Sequence, residues 1–404
     1  MLFLFVDAFF LTDQKLSVSS PLRRLAVVTT HPVQYIAPWF RALAARADTK
    51  LHVIYFRELD QASQGAGFGH AFQWDVPLRE GYESESIQCV ASWRSLPLLA
   101  LRLLRALRAA RPDAVLITGW NEIGLLAAYP ITKLMGLPIL LRGESNSLRS
   151  RGRVARFLHR QILQFADAVL TIGKANREFY LDAGVDASLL FPGAYFVESA
   201  RLLAMADTHS HERDALRGAL GFDAGDCVFA FCGKHVPFKR PMMLIEAAAL
   251  LRGKGLPVKL LIAGSGELTD ALKQRAAELG VPVAFTGFLN QTELWKAYVP
   301  ADAFVLPSNS RETWGLVTNE AMLFGLPVIV SDQVGCGPDL VIENETGYIF
   351  CGQAEDLAAA MEQLLAQGAR MREMGGNARQ HVLDHYAMAN ATAGLEAALE
   401  VACR

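Results

Sequence analysis

The chain has 404 residues, of which 52% are apolar and 20% are charged, and its formal net charge is −2. This composition is typical of a globular protein of two or three domains and excludes a disordered chain. A net charge so close to zero offers no general attraction to nucleic acid, so any anion must be bound by a local cluster.

The N-terminal segment MLFLFVDAFFL is apolar but too short to span a bilayer, and it contains Asp7. We interpret residues 1–21 as an apolar tail that precedes the first strand. None of the six cysteines forms a CxxC pair or has zinc-ligand spacing, so no metal site is predicted. The expected location is the cytoplasm, with peripheral attachment to the inner face of the plasma membrane as an alternative.

Strand-length apolar runs alternate with helix-length segments along most of the chain. The runs of the first half are 25–30, 51–56, 114–118, 138–141 and 168–172, and the pattern restarts with 227–232, 258–263, 282–287, 303–307 and 327–331. Continuous β-branched runs are typical of parallel strands that are buried on both faces. The sequence therefore predicts an α/β protein with two doubly wound, Rossmann-like domains, residues 22–195 and 196–384, which face each other across a cleft.

The loops that follow the strands of the second half should share one rim, because ligands bind beyond the carboxyl ends of such strands. The first of these loops, GKHVPFKR, contains Gly233 and three cations, Lys234, Lys239 and Arg240, which suit a phosphate. An ordinary solvated loop would give the same pattern. The next loop, GSGE, adds Gly264 and Gly266 and is weak evidence by itself.

Two glutamates eight positions apart distinguish the stretch ETWGLVTNE. A helix is predicted to begin near Gly315, so its free N–H groups would favour an anion at the rim. Glu312 precedes this helix, and Glu320 lies about a turn and a half inside it. Carboxylates accept hydrogen bonds from vicinal hydroxyls, so a diphosphate with a polyol at each end, as in a nucleotide-sugar, would suit this rim.

The same stretch resembles the E-x7-E signature of the retaining GT-B glycosyltransferases of the large fourth family, the glycosyl transferases group 1. AMLFGLPVIVSDQVGCGPDLV, FCGKHVPFKRP and FTGFLNQTEL are also similar to that family. The likeness is close over residues 225–352 and holds only in outline before them. It implies the GT-B fold, a UDP- or GDP-sugar donor and a glycan or lipid-linked acceptor. It also implies that a C-terminal helix, about 385–404, packs back on the first domain.

The resemblance implies roles for individual residues. Glu312 and the N–H groups of Trp314 to Leu316 would hold the donor sugar, Glu320 the ribose, and Lys234 and Lys239 the diphosphate. The remaining predicted donor-site residues are Gly233, Arg240, Gly264, Gly266, Gly287, Phe288, Thr313, Trp314, Gly315, Leu316 and Val317. Phe288 fits simple core packing as well as a place beside the base. The family usually has arginine where Lys234 stands, and no acidic metal loop is evident, so neither a metal nor another cofactor is expected.

The implied reaction is front-side displacement with retention, in which the protein positions the reactants and stabilises the departing charge. A double displacement with Glu312 as the nucleophile stays open. On the acceptor side, many relatives carry a histidine near the position where this chain has Trp120, Asn121 and Glu122. We therefore predict that Asn121, Glu122 and Glu144 lie on the acceptor side. His31, which follows the first strand, is a candidate base for the acceptor hydroxyl.

An arginine-rich segment, residues 147–165, follows the RGESNS loop. Arg149, Arg153, Arg156 and Arg160 are predicted to share one helix face, with Val154, Leu158, Ile162 and Phe165 on the opposite, packed face. The arginine face is either simply solvated or contacts anionic lipid or an acceptor diphosphate.

Two other functional classes remain alternatives at this point. One is a catalytically inactive regulatory or scaffold subunit with the same fold, which the intact Glu312, Glu320, Lys234 and Lys239 disfavour. The other is a sugar-nucleotide epimerase or a phosphorylase, which would need an acid–base set or a cofactor lysine that we cannot identify in the sequence.

Overall fold

A computed structural model of the chain describes residues 23–88 and 94–403, so the predicted tail, residues 1–21, lies outside the described part. The protein contains two parallel sheets. The first sheet has seven strands: β1 (Arg23–Thr29), β2 (Thr49–Tyr55), β3 (Glu83–Ser86), β4 (Ala114–Ile117), β5 (Ile139–Leu141), β6 (Ala168–Thr171) and β7 (Leu190–Pro192). The second has six: β8 (Cys227–Cys232), β9 (Val258–Ala263), β10 (Val283–Gly287), β11 (Ala303–Leu306), β12 (Val328–Ser331) and β13 (Gly347–Phe350).

Helices cover both sheets, as the alternating pattern predicts. The helices of the first half are α1 (Ala37–Ala44), α2 (Gln61–Gln64), α3 (Leu96–Ala110), α4 (Ile123–Leu134), α5 (Arg153–Leu163) and α6 (Lys174–Asp182). Those of the second half are α7 (Ser199–His209), α8 (Arg213–Ala219), α9 (Pro241–Gly253), α10 (Thr269–Glu278), α11 (Trp295–Tyr298), α12 (Leu316–Leu323), α13 (Gly337–Leu340), α14 (Ala354–Leu365), α15 (Arg370–His385) and α16 (Met388–Ala402).

The strand order shows that both sheets are doubly wound. The order is β3-β2-β1-β4-β5-β6-β7 in the first sheet and β10-β9-β8-β11-β12-β13 in the second. In each sheet the first strand lies in the interior, and strands are added first on one side of it and then on the other. Leu25 of β1 lies beside Leu51 and Ala114, and Phe229 of β8 lies beside Leu260 and Ala303. A reversal of this kind opens a crevice at the carboxyl ends of the strands, where ligands bind in such folds.

Apolar side chains fill both faces of each sheet, which explains why the strands are continuous apolar runs. In β8, for example, Val228 and Ala230 pack on one face while Phe229 and Phe231 pack on the other. Helix α16 contacts β5, β6 and β7, so the C-terminal helix lies against the first sheet. Tyr35 and Ile36 of the first half pack against the core of the second, so the two halves are in direct contact.

The arginine-rich helix differs from the prediction. It begins at Arg153, so Arg149 lies in the preceding loop and not on the helix. Val154 and Leu158, predicted to pack, are 74% and 53% exposed, and Phe157 is also exposed. Ile162 and Phe165 pack against the core as predicted, together with the buried Leu163 and with His159, which contacts the rings of Trp120 and Phe179. No helix in the described part of the chain is long and apolar enough to cross a bilayer.

Candidate active site

The N-terminus of α12 is the centre of the rim of the second sheet. Gly315 caps this helix at φ = 102°, and a Cβ there would lie 2.5 Å from the Leu306 side chain, so the turn requires glycine. The backbone N–H groups of Thr313 through Val317 donate to no acceptor among the described residues. Five unpaired donors at a helix N-terminus favour a negatively charged group.

Glu312 lies directly before this turn and is paired with a lysine. The Lys239 ammonium forms an ion pair with Glu312 Oε2, and each side chain is only 13% exposed. The Ser308 hydroxyl donates a hydrogen bond of 3.0 Å to the same oxygen. The structure therefore brings together Glu312 and Lys239, two of the residues that the sequence assigned to the reaction, beside the α12 N-terminus.

Glu320 occupies a deeper position than a rim residue would. It is 1% exposed, and its Oε2 accepts a hydrogen bond of 2.8 Å from the Tyr298 hydroxyl. Burial raises the pKa of its carboxyl, while that hydrogen bond and the charge of Arg201 act in the opposite direction. Its Oε1 is buried without a partner in good hydrogen-bond geometry. A buried carboxylate oxygen without such a hydrogen bond can still accept one from a ligand hydroxyl.

Tyr35, which belongs to the first domain, lies close to Glu320. Burial and the charge of Glu320 raise the pKa of Tyr35 well above its ordinary value, and its hydroxyl in turn helps to hold down the pKa of Glu320. Tyr35 belongs to the loop THPVQY that follows β1. Sequence reasoning noticed this loop for His31 and missed the tyrosine, because no local pattern links residue 35 to residue 320.

The first loop of the rim is held tightly against the second. A Cβ on Gly264 would lie 1.9 Å from the carbonyl oxygen of Gly233, so the exits of β8 and β9 are in backbone contact. Lys234 has a lowered pKa, first because it is buried and second because Lys239 is near. Arg240 donates a hydrogen bond of 3.0 Å to Gln333. An anion bound beside Lys234 would offset the charge of Lys239 that disfavours the Lys234 ammonium.

A segment of the first half, residues 61–75, covers this rim of the second sheet. Lys234 donates a hydrogen bond of 2.6 Å to the carbonyl of Ala66 and lies 5.0 Å from the ring centroid of Phe68. The Ser265 hydroxyl donates to the carbonyl of Phe68 at 2.7 Å, and Gly266 lies close to the backbone of Gly67.

Phe288 stands at the centre of an aromatic cluster within the same interface. Its ring contacts four rings of the covering segment, those of Phe68, His70, Phe72 and Trp74. Gly287, beside it, accepts a hydrogen bond of 2.8 Å from the N–H of Gly264. Phe288 is therefore an interdomain contact in this structure, a third possibility beside the core and base-binding interpretations.

A cavity of about 370 Å³ opens at the carboxyl ends of the first sheet. Its lining includes His31, Asn121 and Glu144 from the first half and Thr313 from the second, so it faces the α12 N-terminus across the cleft. Glu122 is not among the lining residues and forms an ion pair of 2.8 Å with Arg57. Asn121 and Glu144 are thus placed together with His31, whereas Glu122 is directed elsewhere.

His31 is held in the neutral form by its surroundings. Its Nδ1 lies 2.9 Å from the Thr30 hydroxyl. Burial, and secondarily the positive charge of Arg57, lower the pKa of the imidazole. A neutral imidazole at the edge of a cavity has a free nitrogen lone pair and can accept a proton.

Glu144 links the two domains. Its Oε1 accepts a hydrogen bond of 2.5 Å from the Tyr195 hydroxyl, and its Oε2 accepts one of 3.2 Å from the Thr313 hydroxyl. Thr313 is the residue between Glu312 and Trp314, so the carboxylate predicted for the acceptor side contacts the predicted donor loop. No group of three or more His, Cys, Asp or Glu side chains within the described ranges is arranged to hold a metal ion.

Part of the chain is similar in sequence to known glycosyltransferases. Residues 212–381 match the model of the glycosyl transferases group 1. A D-inositol 3-phosphate glycosyltransferase of Rhodococcus erythropolis is 36% identical over 180 residues, which cover 42% of this chain and 40% of that protein. A GDP-mannose-dependent alpha-(1-6)-phosphatidylinositol monomannoside mannosyltransferase of Mycolicibacterium smegmatis is 31% identical over 246 residues, 58% of this chain and 62% of that protein. The chain thus spans less than two thirds of the curated relatives it matches.

The solved structures extend the likeness to the fold of both halves. A crystal structure of Anabaena HepE in complex with UDP and glucose is 18% identical, with a TM-score of 0.70, and the match covers 94% of this chain and 99% of HepE. The protein has the GT-B fold, and its residues 212–381 match the model of the glycosyl transferases group 1, in agreement with the E-x7-E stretch.

Proposed function

We propose that the protein transfers a hexose from a UDP- or GDP-sugar to a hydroxyl of a glycan or lipid-linked acceptor, with retention of anomeric configuration. The observation that carries this proposal is the combination at α12: unpaired N–H groups at the helix N-terminus, the Glu312–Lys239 pair beside them, and a buried Glu320 with one free oxygen. Cell-surface polysaccharide or glycolipid synthesis is the setting that suits such an acceptor.

The donor is assigned to the rim of the second sheet. The N–H groups of residues 314–316 and Glu312 would hold the sugar, and Glu320 would accept the ribose hydroxyls. Lys239 and Lys234 would neutralise the diphosphate, which requires both ammonium groups to exchange their present partners, Glu312 and Ala66, at least in part for phosphate oxygens. The UDP complex of HepE and the GDP-mannose dependence in the name of the mycobacterial relative support a nucleotide donor without choosing its base.

The reaction proceeds between the two domains. The bond from the anomeric carbon to the β-phosphate oxygen breaks, and the bond to the acceptor oxygen forms on the same face of the sugar. The acceptor proton passes to the departing diphosphate or to His31, which lies in the facing cavity and is held neutral. The contribution of the protein is positioning, together with the fixed positive charge of lysines and helix amides at the leaving group.

Nucleotide binding tests the donor assignment. Lys239→Met removes the charge at constant length, and we expect UDP or GDP to bind roughly 10- to 100-fold more weakly, since a hydrogen bond to a charged group contributes about 1.5–3 kcal/mol. Lys254→Met, at an exposed lysine paired with Glu362, is the control and should bind like wild type. Titration calorimetry with both nucleotides would contradict the assignment if the Lys239 variant kept full affinity.

A second proposed partner is an anionic membrane surface, which α5 would contact. The helix carries Arg153 and Arg156 next to the exposed side chains of Val154, Phe157 and Leu158, a combination that suits the interface of an acidic bilayer. Exposed apolar side chains flanked by cations are the observation that favours lipid over a merely solvated helix.

Vesicle sedimentation tests this surface. We expect wild-type protein to sediment with phosphatidylserine vesicles at low salt and less at high salt. Arg153→Gln with Arg156→Gln should reduce binding, and Phe157→Ser should reduce it without changing the charge. Arg252→Gln with Arg372→Gln in the second half is the charge-matched control. Equal sedimentation of all variants would exclude α5 as the contact.

A further inference from the structure

Arg142 is a buried cation whose hydrogen-bonding capacity is largely unused. It follows β5 directly and is 6% exposed. Its Nε is buried without a partner, and the guanidinium makes one hydrogen bond within the described residues, a long one of 3.5 Å from Nη2 to the carbonyl of Gly193. An arginine has five N–H donors, and leaving them unpaired in the interior is costly.

The neighbours of Arg142 stabilise a cation but do not neutralise it. The guanidinium carbon lies 4.8 Å from the ring centroid of Tyr195, 5.7 Å from that of Trp39 and 5.9 Å from that of Phe196. Burial lowers the pKa of Arg142, and the nearby Glu144 and tyrosine hydroxyls only partly oppose this effect. Glu144 is near enough to act on its charge but forms no ion pair with it within 4.0 Å in the described part of the chain; the Glu144 oxygens accept hydrogen bonds from the hydroxyls of Tyr195 and Thr313.

The side chain lines the acceptor-side cavity together with hydroxyl and imidazole groups. Thr29, Thr30 and Thr118 contribute hydroxyls, and the Thr118 hydroxyl donates to that of Thr29 at 2.8 Å. His31 and Asn121 lie on the same lining. A guanidinium that shares a cavity lining with hydroxyl groups and contacts aromatic rings can present the planar fork by which arginine binds phosphate or carboxylate.

We propose that this cavity binds an oxyanionic group of the acceptor, a phosphate or a carboxylate, through Arg142. That the ligand is the acceptor rests on the proposed glycosyl transfer, whereas the binding of an oxyanion at Arg142 does not. The cavity would thereby select acceptors that carry a negative charge next to the hydroxyl to be glycosylated. Neutral sugars of the same size would leave the guanidinium unpaired and bind more weakly.

The alternative role of Arg142 is purely structural, as a cation that stabilises Tyr195 and, through it, Glu144. In that role the charge is needed for folding and for the position of Glu144, and small oxyanions would gain nothing from it. The two roles differ in a measurable property, the affinity of the folded protein for small anions at constant ionic strength.

The experiment uses inorganic phosphate and acetate as probes of the full-length protein, with chloride at matched ionic strength as the reference. UDP and GDP are present together to keep the probes from the donor rim. We expect a saturable rise of the thermal midpoint with phosphate, acetate or both, from which mass action gives the dissociation constant. In Arg142→Met this constant should increase at least about tenfold, the loss of one charged hydrogen bond.

Three further variants make the result specific. Lys239→Met should keep the anion response, which separates the cavity from the donor lysines. Glu144→Gln removes a negative charge from the same lining and should keep or strengthen the response. Arg142→Lys keeps the charge but not the fork, and it should fold and bind the preferred anion more weakly, which covers the case in which Arg142→Met does not fold.

The outcomes are decisive in either direction. No rise above chloride for both anions in the wild type, or an unchanged rise in Arg142→Met, overturns the proposal, as does a response that is lost in Lys239→Met. Nucleotide affinity measured separately in Arg142→Met should equal that of the wild type. Failure of nucleotide binding in the wild type would count against the proposed function and not against the anion site.

Discussion

At the scale of single residues, Glu320 is a carboxylate that burial destabilises in its ionised form. One of its oxygens has no hydrogen bond of good geometry, an arrangement that costs stability when the carboxylate is ionised. A ligand that donates hydroxyl hydrogen bonds would relieve this cost. Stability and nucleotide affinity should therefore respond in opposite directions when the charge is removed.

We predict that Glu320→Gln stabilises the free protein and weakens nucleotide binding. Because burial raises the folded-state pKa of Glu320 above its ordinary 4.5, the wild type loses stability as the pH rises through that raised value. The gain in thermal midpoint for the variant should thus be absent below about pH 4.5 and grow toward neutral pH.

Nucleotide affinity should fall about 10- to 100-fold in the same variant, as for other hydrogen bonds to charged groups. Glu373→Gln, at an exposed position on α15, should change neither property. A Glu320→Gln protein that is less stable than the wild type at pH 7 would contradict the account of this buried carboxylate.

The lowered pKa of His31 predicts how the rate of transfer depends on pH. If the neutral imidazole receives the acceptor proton, His31→Ala should reduce transfer roughly 100-fold, at the low end of general acid–base effects, with donor affinity unchanged. The acid limb of kcat/KM should lie below the ordinary histidine pKa of 6.5, because burial and Arg57 lower it.

Arg57→Gln should move this acid limb toward higher pH. The substitution removes the positive charge of Arg57, which is one cause of the lowered pKa, and so favours the imidazolium. Activity would then fall at pH 6 and not at pH 8. If the acid limbs of the wild type and Arg57→Gln coincide, His31 is not the group that titrates. If His31→Ala transfers at the wild-type rate, His31 takes no part in the reaction.

The residues that sequence alone could identify are those with a local pattern. Glu312 and Glu320 stand at fixed spacing around a helix start, and Gly315 reports a turn that only glycine accommodates. Arg142 and Tyr35 have no such pattern. Their significance arises from burial and from contacts with residues far away in the chain, Tyr195 and Glu320 respectively, which a one-dimensional sequence does not display.

At the scale of elements, the strands with continuous apolar runs were predicted to within two residues at each end. β8 and β9 have the predicted bounds, because both of their faces are covered by packed helices. Three strands were missed: β3, with the sequence ESES, β7, a three-residue strand that ends at Pro192, and β13. All three lie at an edge of their sheet, and in β3 and β7 a polar sequence or a proline is tolerated because one side of an edge strand needs no partner.

The helix α5 was predicted as an element, but its packed face was predicted only in part. Its arginines suggested a solvated face, so the opposite apolar side chains were expected in the core. In the structure Ile162 and Phe165 pack against the core as expected, beside His159 and Leu163, whereas Val154 and Leu158 are exposed. The periodicity of a helix identifies its faces, but the neighbouring elements decide which face packs, and these neighbours come from other parts of the chain.

At the scale of the whole molecule, the two sheets create a site that neither contains alone. Tyr35 reaches Glu320, Glu144 reaches Thr313, and the segment 61–75 covers the loops around Lys234 and Phe288. The fold class could be predicted because alternation of strands and helices restarts in the second half. The interdomain contacts could not, since they depend on how two independent sheets are docked.

The measurement that tests the central claim most directly is the release of nucleoside diphosphate from a set of UDP- and GDP-hexoses, followed in the presence of EDTA. The wild type should release UDP or GDP from at least one donor without a divalent cation. A variant with Glu312→Gln and Glu320→Gln, which keeps side-chain volume and removes both carboxylates, should release at least about 100-fold less, the loss expected for two charged hydrogen bonds. Equal release by the variant, or no release by the wild type from any donor, would contradict a nucleotide-sugar-dependent transferase whose donor site lies at α12.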